Sequence, residues 1–145
     1  MNRKEFLLAA ILLFFFCADI LCAQEKIGKL IFHVTNIQHN RGKVCINLFG
    51  EDDPLPKKPF KRMFGEILDG KSTISFDSLS YGEYAAIAFH DENSNGELDH
   101  RWGLPNEPLG FSNNWKLSLF SGMPSFKKLK FGFTPENNQI EIVLP

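Results

Sequence analysis

The sequence lacks an excess of charge of either sign. It has 16 lysine and arginine residues against 17 aspartate and glutamate residues, and no long basic run. It therefore lacks the positive surface with which proteins neutralise nucleic-acid phosphates. Hydrophobic residues make up 43% of the chain, which excludes an intrinsically disordered protein. A length of 145 residues fits one ordinary globular domain and excludes a multidomain protein.

Long apolar runs are also missing. The longest covers residues 6–17 and follows Arg3 and Lys4, and it is shorter than the about 20 apolar residues that span a bilayer. A basic start, a short apolar core and small residues ending at Ala23 are typical of a secretory signal peptide. A retained membrane anchor is the alternative. We expect residues 1–23 to be removed on export, which leaves residues 24–145 as one periplasmic or extracellular domain without a membrane span.

Cysteine is scarce. Of three cysteines, Cys17 and Cys22 lie in the predicted signal peptide, and only Cys45 remains after its removal. An intrachain disulfide is therefore excluded from the exported domain. Cys45 lies in an apolar segment, so we expect a semi-buried side chain, with a reactive thiol as the alternative.

Helical periodicity is absent from the exported part, and short alternating segments separated by turn residues predict β-strands. Residues 30–35 and 43–49 alternate with a period of two on either side of Asn40, Arg41 and Gly42, which predicts an antiparallel pair. Residues 83–90 are apolar at almost every position, which predicts a central strand covered on both sides. Further strands are predicted over residues 73–77, 128–133 and 140–144.

Six or seven short strands in a chain of this size predict an all-β fold. We expect a single immunoglobulin-like antiparallel β-sandwich of about seven strands. A small closed barrel is the alternative, because alternation does not distinguish two packed sheets from one curled sheet.

The segment that follows the central strand has the spacing of a calcium loop. Asp91, Asn93 and Asn95 stand at alternate positions, Gly96 follows at the sixth position, and Asp99 stands at the ninth. Calcium takes 6 to 8 oxygen ligands, and glycine at the sixth position permits the sharp turn that such loops need. The pattern therefore predicts a calcium site.

The rest of the segment departs from an EF-hand. Trp102 occupies the position of the usual bidentate glutamate, so a ligand must come from elsewhere. Glu97 would bind through its backbone carbonyl group, and Glu107 is the nearest downstream carboxylate. A turn rich in Asn, Asp and Gly that binds no ion is the alternative. The predicted ligands are Asp91, Asn93, Asn95, Glu97, Asp99 and Glu107.

Zinc is a weaker hypothesis. His90 and His100 flank the acidic segment, but structural zinc sites favour cysteine and histidine in tight pairs. We expect instead an imidazole that hydrogen-bonds Asp91 or Asp99.

Aromatic residues near the predicted calcium loop have two interpretations. Trp102, Phe111 and Trp115 lie in a stretch rich in Gly, Pro and Asn. They are candidates for a partner surface that stacks on a sugar ring or a protein. The alternative is that they form a small core for a long loop.

Catalysis has little support. Ser112 lies outside a G-x-S-x-G elbow, and no His/Asp partner can be assigned to it. Asp91, Asp99 or Glu107 could serve a hydrolase, but carboxylates that alternate with asparagines fit cation binding better.

Three segments, FHDENSNGELD, GLPNEPLGFSNN and PSFKKLKF, together resemble a small secreted bacterial family catalogued as domain of unknown function 2141. The resemblance covers residues 28–144 and implies an exported β-sandwich similar to transthyretin-like and carboxypeptidase-regulatory-like domains, with no established activity. Between Asp99 and Gly103 this chain is one residue shorter than the family pattern. The signature positions of the family correspond to Asp91, Asn93, Asn95, Asp99, Pro105, Glu107, Gly110, Phe111, Ser112 and Asn113.

These observations predict an exported, non-enzymatic β-sandwich whose loop over residues 91–114 is organised by calcium. The loop would present a binding surface for a glycan or an envelope protein. A hydrolase that uses the loop carboxylates and a purely structural accessory domain without metal are the alternatives.

Overall fold

A computed structural model describes residues 26–118 and 120–145. The predicted signal peptide lies outside these residues. None of the helices in the described ranges is long and apolar enough to cross a membrane.

The described residues form ten strands and very little helix. A 3-10 turn covers Ser112–Asn114, and a single helical turn, α1, covers Phe126–Leu129. The strands are β1 (Ile27–Thr35), β2 (Lys43–Phe49), β3 (Lys61–Gly65), β4 (Ser72–Ser80), β5 (Gly82–Asp91), β6 (His100–Arg101), β7 (Leu104–Pro105), β8 (Leu109–Phe111), β9 (Phe131–Phe133) and β10 (Gln139–Val143).

The strands form two main sheets. The first has the order β10-β1-β4, and the second has the order β3-β2-β5-β8. β9 pairs with the first residues of β5, and β8 pairs further along the same strand. β6 and β7 form a separate hairpin. Every pair is antiparallel except β1 with β10, which is parallel. The predicted all-β sandwich is confirmed.

The predicted pairing of the first two strands is wrong. β1 pairs with β4 and β10, whereas β2 pairs with β3 and β5. The connection over residues 36–42 therefore crosses from one sheet to the other. β1 buries alternate residues, whereas β2 is buried on both faces after its first residue. The alternation in the two sequences is the same whether the strands share a ladder or face each other across a core.

The main core lies between the inner faces of the two sheets. Phe32 of β1 is fully buried near its centre, and its ring makes edge contacts with the rings of Phe76 and Phe131 at centroid distances of 5.8 and 5.9 Å. Ala86 and Ala88 of β5 face this core from the opposite sheet. Burial of these apolar groups is the main stabilising contribution.

A second, smaller core covers the outer face of β5. Ala85 and Ile87 pack there against Phe111 and Leu129. The prediction that this central strand is covered on both sides is therefore confirmed. Leu129 was predicted to lie in a strand, but it belongs to α1, because the segment after residue 112 turns back to cover β5.

Ser112 fixes this cover to β5. Its hydroxyl group is fully buried. It accepts a hydrogen bond of 2.9 Å from the N–H of Ala86 and donates one of 2.6 Å to the carbonyl oxygen of Leu129. Both bonds link the hydroxyl group to the backbone, so this serine connects β5 to α1.

Cys45 is a buried packing residue, as the sequence predicted. Its side chain has no exposed surface. Burial raises the pKa of its thiol to about 12, although the guanidinium group of Arg62 opposes the shift. The neutral thiol is therefore the only form populated near neutral pH.

Replacing Phe32 by alanine should destabilise the protein by about 3–5 kcal/mol, because it leaves a cavity between the sheets. Phe120→Ala is the matched control, since Phe120 is fully exposed and its loss should change the free energy of unfolding by less than about 0.5 kcal/mol. Denaturant unfolding measures both values. Similar losses in the two variants would contradict this core.

Alkylation of Cys45 at pH 8 should be slow in the folded protein. With a pKa of about 12, only about one thiol in ten thousand is ionised at that pH, and the thiolate is the reactive form. Mass spectrometry of the Cys45 peptide after iodoacetamide treatment measures the rate, with guanidinium-unfolded protein as the control. A folded-state rate within about tenfold of the unfolded rate would mean that the thiol is accessible.

Candidate functional site

The candidate site begins at the end of β5, where two consecutive polar residues are buried. His90 has no exposed surface, and Asp91 is 1% exposed. Side chains alternate along a strand, so His90 shares the inner face with Ala88, and Asp91 shares the outer face with Ile87. One strand end therefore delivers an imidazole to one side of its sheet and a carboxylate to the other.

Asp91 sets the conformation of the loop that follows. Its Oδ1 atom accepts a hydrogen bond from the N–H of Asn95 at 3.0 Å, and its Oδ2 atom accepts one from the N–H of Gly96 at 2.8 Å. Ser94 and Gly96 have positive φ angles of 58° and 81°, a conformation that favours glycine at the second position. The backbone thus folds around the buried carboxylate.

The two asparagines link this turn to Asp99. The Oδ1 atoms of Asn93 and Asn95 accept hydrogen bonds from the N–H groups two residues further on, at 3.0 and 2.8 Å, as in Asx turns. Their Nδ2 groups donate to the two carboxylate oxygens of Asp99, at 2.7 and 3.0 Å. Four predicted ligands, Asp91, Asn93, Asn95 and Asp99, are therefore brought together.

Glu107 closes the base of the loop. It is 7% exposed. Its carboxylate accepts hydrogen bonds from the N–H of Glu92 at 2.9 Å and from the N–H of Asp99 at 3.1 Å. These two amides lie near the beginning and the end of the loop. The sequence singled out this residue as a borrowed carboxylate, and in the structure it holds the backbone of the predicted ligand loop.

Glu97 was predicted to bind through its backbone carbonyl group, and its side chain makes none of the hydrogen bonds described above. Its side chain is 77% exposed and lies 3.8 Å from the guanidinium group of Arg62. Arg62 also donates hydrogen bonds to the Oδ1 atom of Asn47 at 2.7 Å and to the carbonyl oxygen of Gly96 at 3.0 Å. It therefore ties the tip of the loop to β2 and β3.

Sequence reasoning missed Arg62. It lies on β3, which was not predicted because most of its residues are exposed and its sequence KRMFG lacks alternation. An arginine that follows a proline-rich segment gives little sign in the sequence of a role at the site, because its partners Asn47 and Gly96 come from distant segments.

The aromatic residues do not form one surface. Phe111 is buried in the second core, and Trp115 packs edge-on against it at a centroid distance of 4.7 Å. Trp102 is 92% exposed in the turn between β6 and β7, and Leu104 beside it is 67% exposed. Of the predicted partner surface, Trp102 is therefore exposed, Trp115 is half-buried and Phe111 is buried.

His90 does not hydrogen-bond Asp91 or Asp99, so that expectation was wrong. Its Nε2 atom lies 2.6 Å from the carbonyl oxygen of Arg41 in the β1–β2 connection. The reason is the alternation along β5, which directs this ring away from the acidic loop. His100 is exposed on β6.

Replacing Glu107 by glutamine should destabilise the protein by about 1–3 kcal/mol, because the new NH2 group faces a backbone N–H that loses its acceptor. Hydrogen exchange should accelerate at the amide of Glu92 or of Asp99. Glu136→Gln, at an exposed position, is the matched control. Unchanged exchange at both amides in the Glu107 variant would contradict the role of this carboxylate.

Comparison with known proteins gives one result. Residues 32–141 match a family model described as "Uncharacterized protein conserved in bacteria (DUF2141)". No curated protein and no solved structure matches the chain. The family match covers most of the two-sheet domain, including the whole loop from Asp91 to Glu107, and the chain therefore belongs to the uncharacterised bacterial DUF2141 family.

Proposed function

We propose that the protein is an exported, non-enzymatic binding module whose loop over residues 91–107 is organised by calcium. The observation that carries the proposal is the convergence of Asp91, Asn93, Asn95 and Asp99 through mutual hydrogen bonds. All four side chains supply oxygen, and carboxylate and amide oxygens are the ligands that calcium prefers.

Charge supports a cation at this position. The loop carries the carboxylates of Asp91, Glu92, Glu97, Asp99 and Glu107. Like charges held close together repel each other, and a divalent cation offsets that repulsion. The guanidinium group of Arg62 lies at the loop tip, where it bonds the carbonyl oxygen of Gly96 and lies 3.8 Å from the carboxylate of Glu97.

The same hydrogen bonds limit the affinity that we expect. The amide groups of Asn93 and Asn95 already donate to the Asp99 carboxylate, so a cation competes with them for the same oxygens. Calcium sites of extracellular modules have dissociation constants of about 10⁻⁴–10⁻³ M. We place this site at the tighter end of that range, because Asp91 and Glu107 already fix the backbone.

The binding surface in this proposal is the β6–β7 hairpin. It extends from the loop and carries the exposed side chains of Trp102 and Leu104. An exposed tryptophan is suited to stacking on a sugar ring or anchoring a protein partner. A glycan or an envelope protein is the proposed partner class, consistent with export directed by residues 1–23.

A structural role fits the carboxylates better than hydrolysis. Asp91, Asp99 and Glu107 each accept hydrogen bonds at both oxygens. A general acid or base must instead reach a proton of the substrate. We therefore assign the loop carboxylates to loop architecture.

The second candidate function is a structural accessory domain without metal. Its specific support is that the loop closes through its own hydrogen bonds, while Phe111 and Trp115 pack into a core beneath the segment that follows. Calcium-dependent stability distinguishes the two candidates.

Thermal unfolding in 10 mM calcium and in chelator tests the proposal. With a dissociation constant of about 0.1 mM, calcium at 100 times that value adds about 2.7 kcal/mol. For a domain of this size, the midpoint should rise by about ten degrees. Magnesium should give a smaller rise, because it gives up its hydration water reluctantly and is seldom bound by protein ligands alone.

Asp99→Asn should abolish most of the calcium-dependent rise, because it removes one of the two charges that flank the asparagines. Asp77→Asn, on the exposed part of β4 where Asp77 pairs with Lys29, is the matched control and should keep the full rise. If the midpoint of the unmodified protein is the same in calcium and in chelator, the metal-free structural candidate replaces the calcium proposal.

A further inference from the structure

Two histidines and a glutamate meet on the opposite side of β5 from the side chain of Asp91. His39 lies in the β1–β2 connection, His90 near the end of β5, and Glu92 one residue beyond that strand. Each offers a ligand atom, and these atoms all lie within 4.8 Å of one another. The three residues come from segments that are about fifty positions apart in the sequence.

Backbone packing brings these segments together. Gly42, at the end of the β1–β2 connection, has a φ angle of 76°, and a Cβ atom there would collide with the carbonyl oxygen of Asp91. Only glycine permits this close approach. The connection therefore lies against the end of β5 and holds His39 beside His90, with ring centroids 4.7 Å apart and an interplanar angle of 55°.

His90 presents one nitrogen in the state that metal ions require. Its Nε2 atom lies 2.6 Å from the carbonyl oxygen of Arg41. A carbonyl oxygen only accepts, so Nε2 carries the proton, and Nδ1 carries the lone pair of the neutral ring. The residue is fully buried, and Nδ1 has no hydrogen-bond partner among the described residues. A buried nitrogen without a partner requires an explanation, and a bound ion is one.

His39 and Glu92 complete the group. The Nε2 atom of His39 lies 3.5 Å from the Oε1 atom of Glu92. The N–H of Glu92 is bonded to Glu107, which fixes the backbone from which this carboxylate extends.

We propose that His39, His90 and Glu92 bind a divalent transition-metal ion of the zinc class. Two imidazoles and a carboxylate form a donor set that such ions use, with the fourth position open, whereas calcium and magnesium favour oxygen alone. The bond from Nε2 of His90 to a backbone carbonyl oxygen is the outer contact that metal-binding histidines make.

The spacing suits this class of ion. Bonds of about 2.0–2.1 Å in a tetrahedron place ligand atoms roughly 3.3–3.5 Å apart. The distance between His39 and Glu92 already has this value. His39 and Glu92 are 31% and 39% exposed at their side chains, so they can adjust towards the fixed ring of His90.

Cobalt(II) titration of untagged protein, purified from cells that express the complete chain and then freed of metal by chelation, tests the proposal. Cobalt(II) takes the place of zinc and gives visible absorption bands that report its coordination. We expect one equivalent to bind with nitrogen coordination, and one equivalent of zinc to displace it. Calcium at 10 mM should leave the spectrum unchanged.

Variants assign the ligands. His39→Ala and Glu92→Gln should each weaken cobalt binding at least tenfold, and thermal unfolding verifies that both variants fold. These two variants are used instead of a variant at His90, because His90 lies in the core, where its replacement can prevent folding. His100→Ala, at an exposed histidine outside the group, is the matched control and should bind cobalt as the unmodified protein does.

Three results would overturn the proposal: no stoichiometric binding at 1 mM cobalt, binding that both variants retain, or displacement of cobalt by calcium. Displacement of cobalt by calcium would mean that both ions bind in the loop over residues 91–107. Failure of this proposal is distinguishable from failure of the calcium proposal, because the two sites share no proposed ligand.

Discussion

Coverage of β5 on both faces is the constraint on which the rest of the structure depends. Its alanines are small enough to bring the opposite sheet close on one side and the segment around Ser112 close on the other. A strand buried in this way has no solvent face, so polar residues at its end need partners in the protein or in a bound ligand. His90 and Asp91 are those residues, and each candidate site begins with one of them.

In the loop over residues 91–107, backbone amides supply the hydrogen bonds that buried carboxylates need. Asp91 and Glu107 are buried carboxylates, and each accepts two hydrogen bonds from N–H groups of the loop. Charge-assisted bonds to backbone amides are stronger than neutral ones, so the loop and its two anions stabilise each other. This is why the loop holds a defined shape through its own contacts.

The sequence predicted features that local spacing controls. Alternation located β1 and β2, and a nearly continuous apolar run located β5. The positions of Asp91, Asn93, Asn95 and Asp99 indicated that their side chains would converge. Contacts between distant segments lay beyond such reasoning. Alternation does not say which sheet a strand joins, so β1 was paired with the wrong neighbour. His39 went unnoticed for the same reason, because only the crossing between the sheets brings it to His90.

The two proposed metal sites lie on opposite faces at the end of β5 and differ in the chemistry of their donor atoms. Oxygen donors lie on the outer face, where a hard cation would bind, and imidazole nitrogens lie on the inner face, where a zinc-class ion would bind. The faces are connected through the carboxylate of Glu107, which bonds the amide of Glu92 and the amide of Asp99. An ion on either side would therefore stiffen the same stretch of backbone. Metal binding in this protein would therefore act on the loop that carries Trp102.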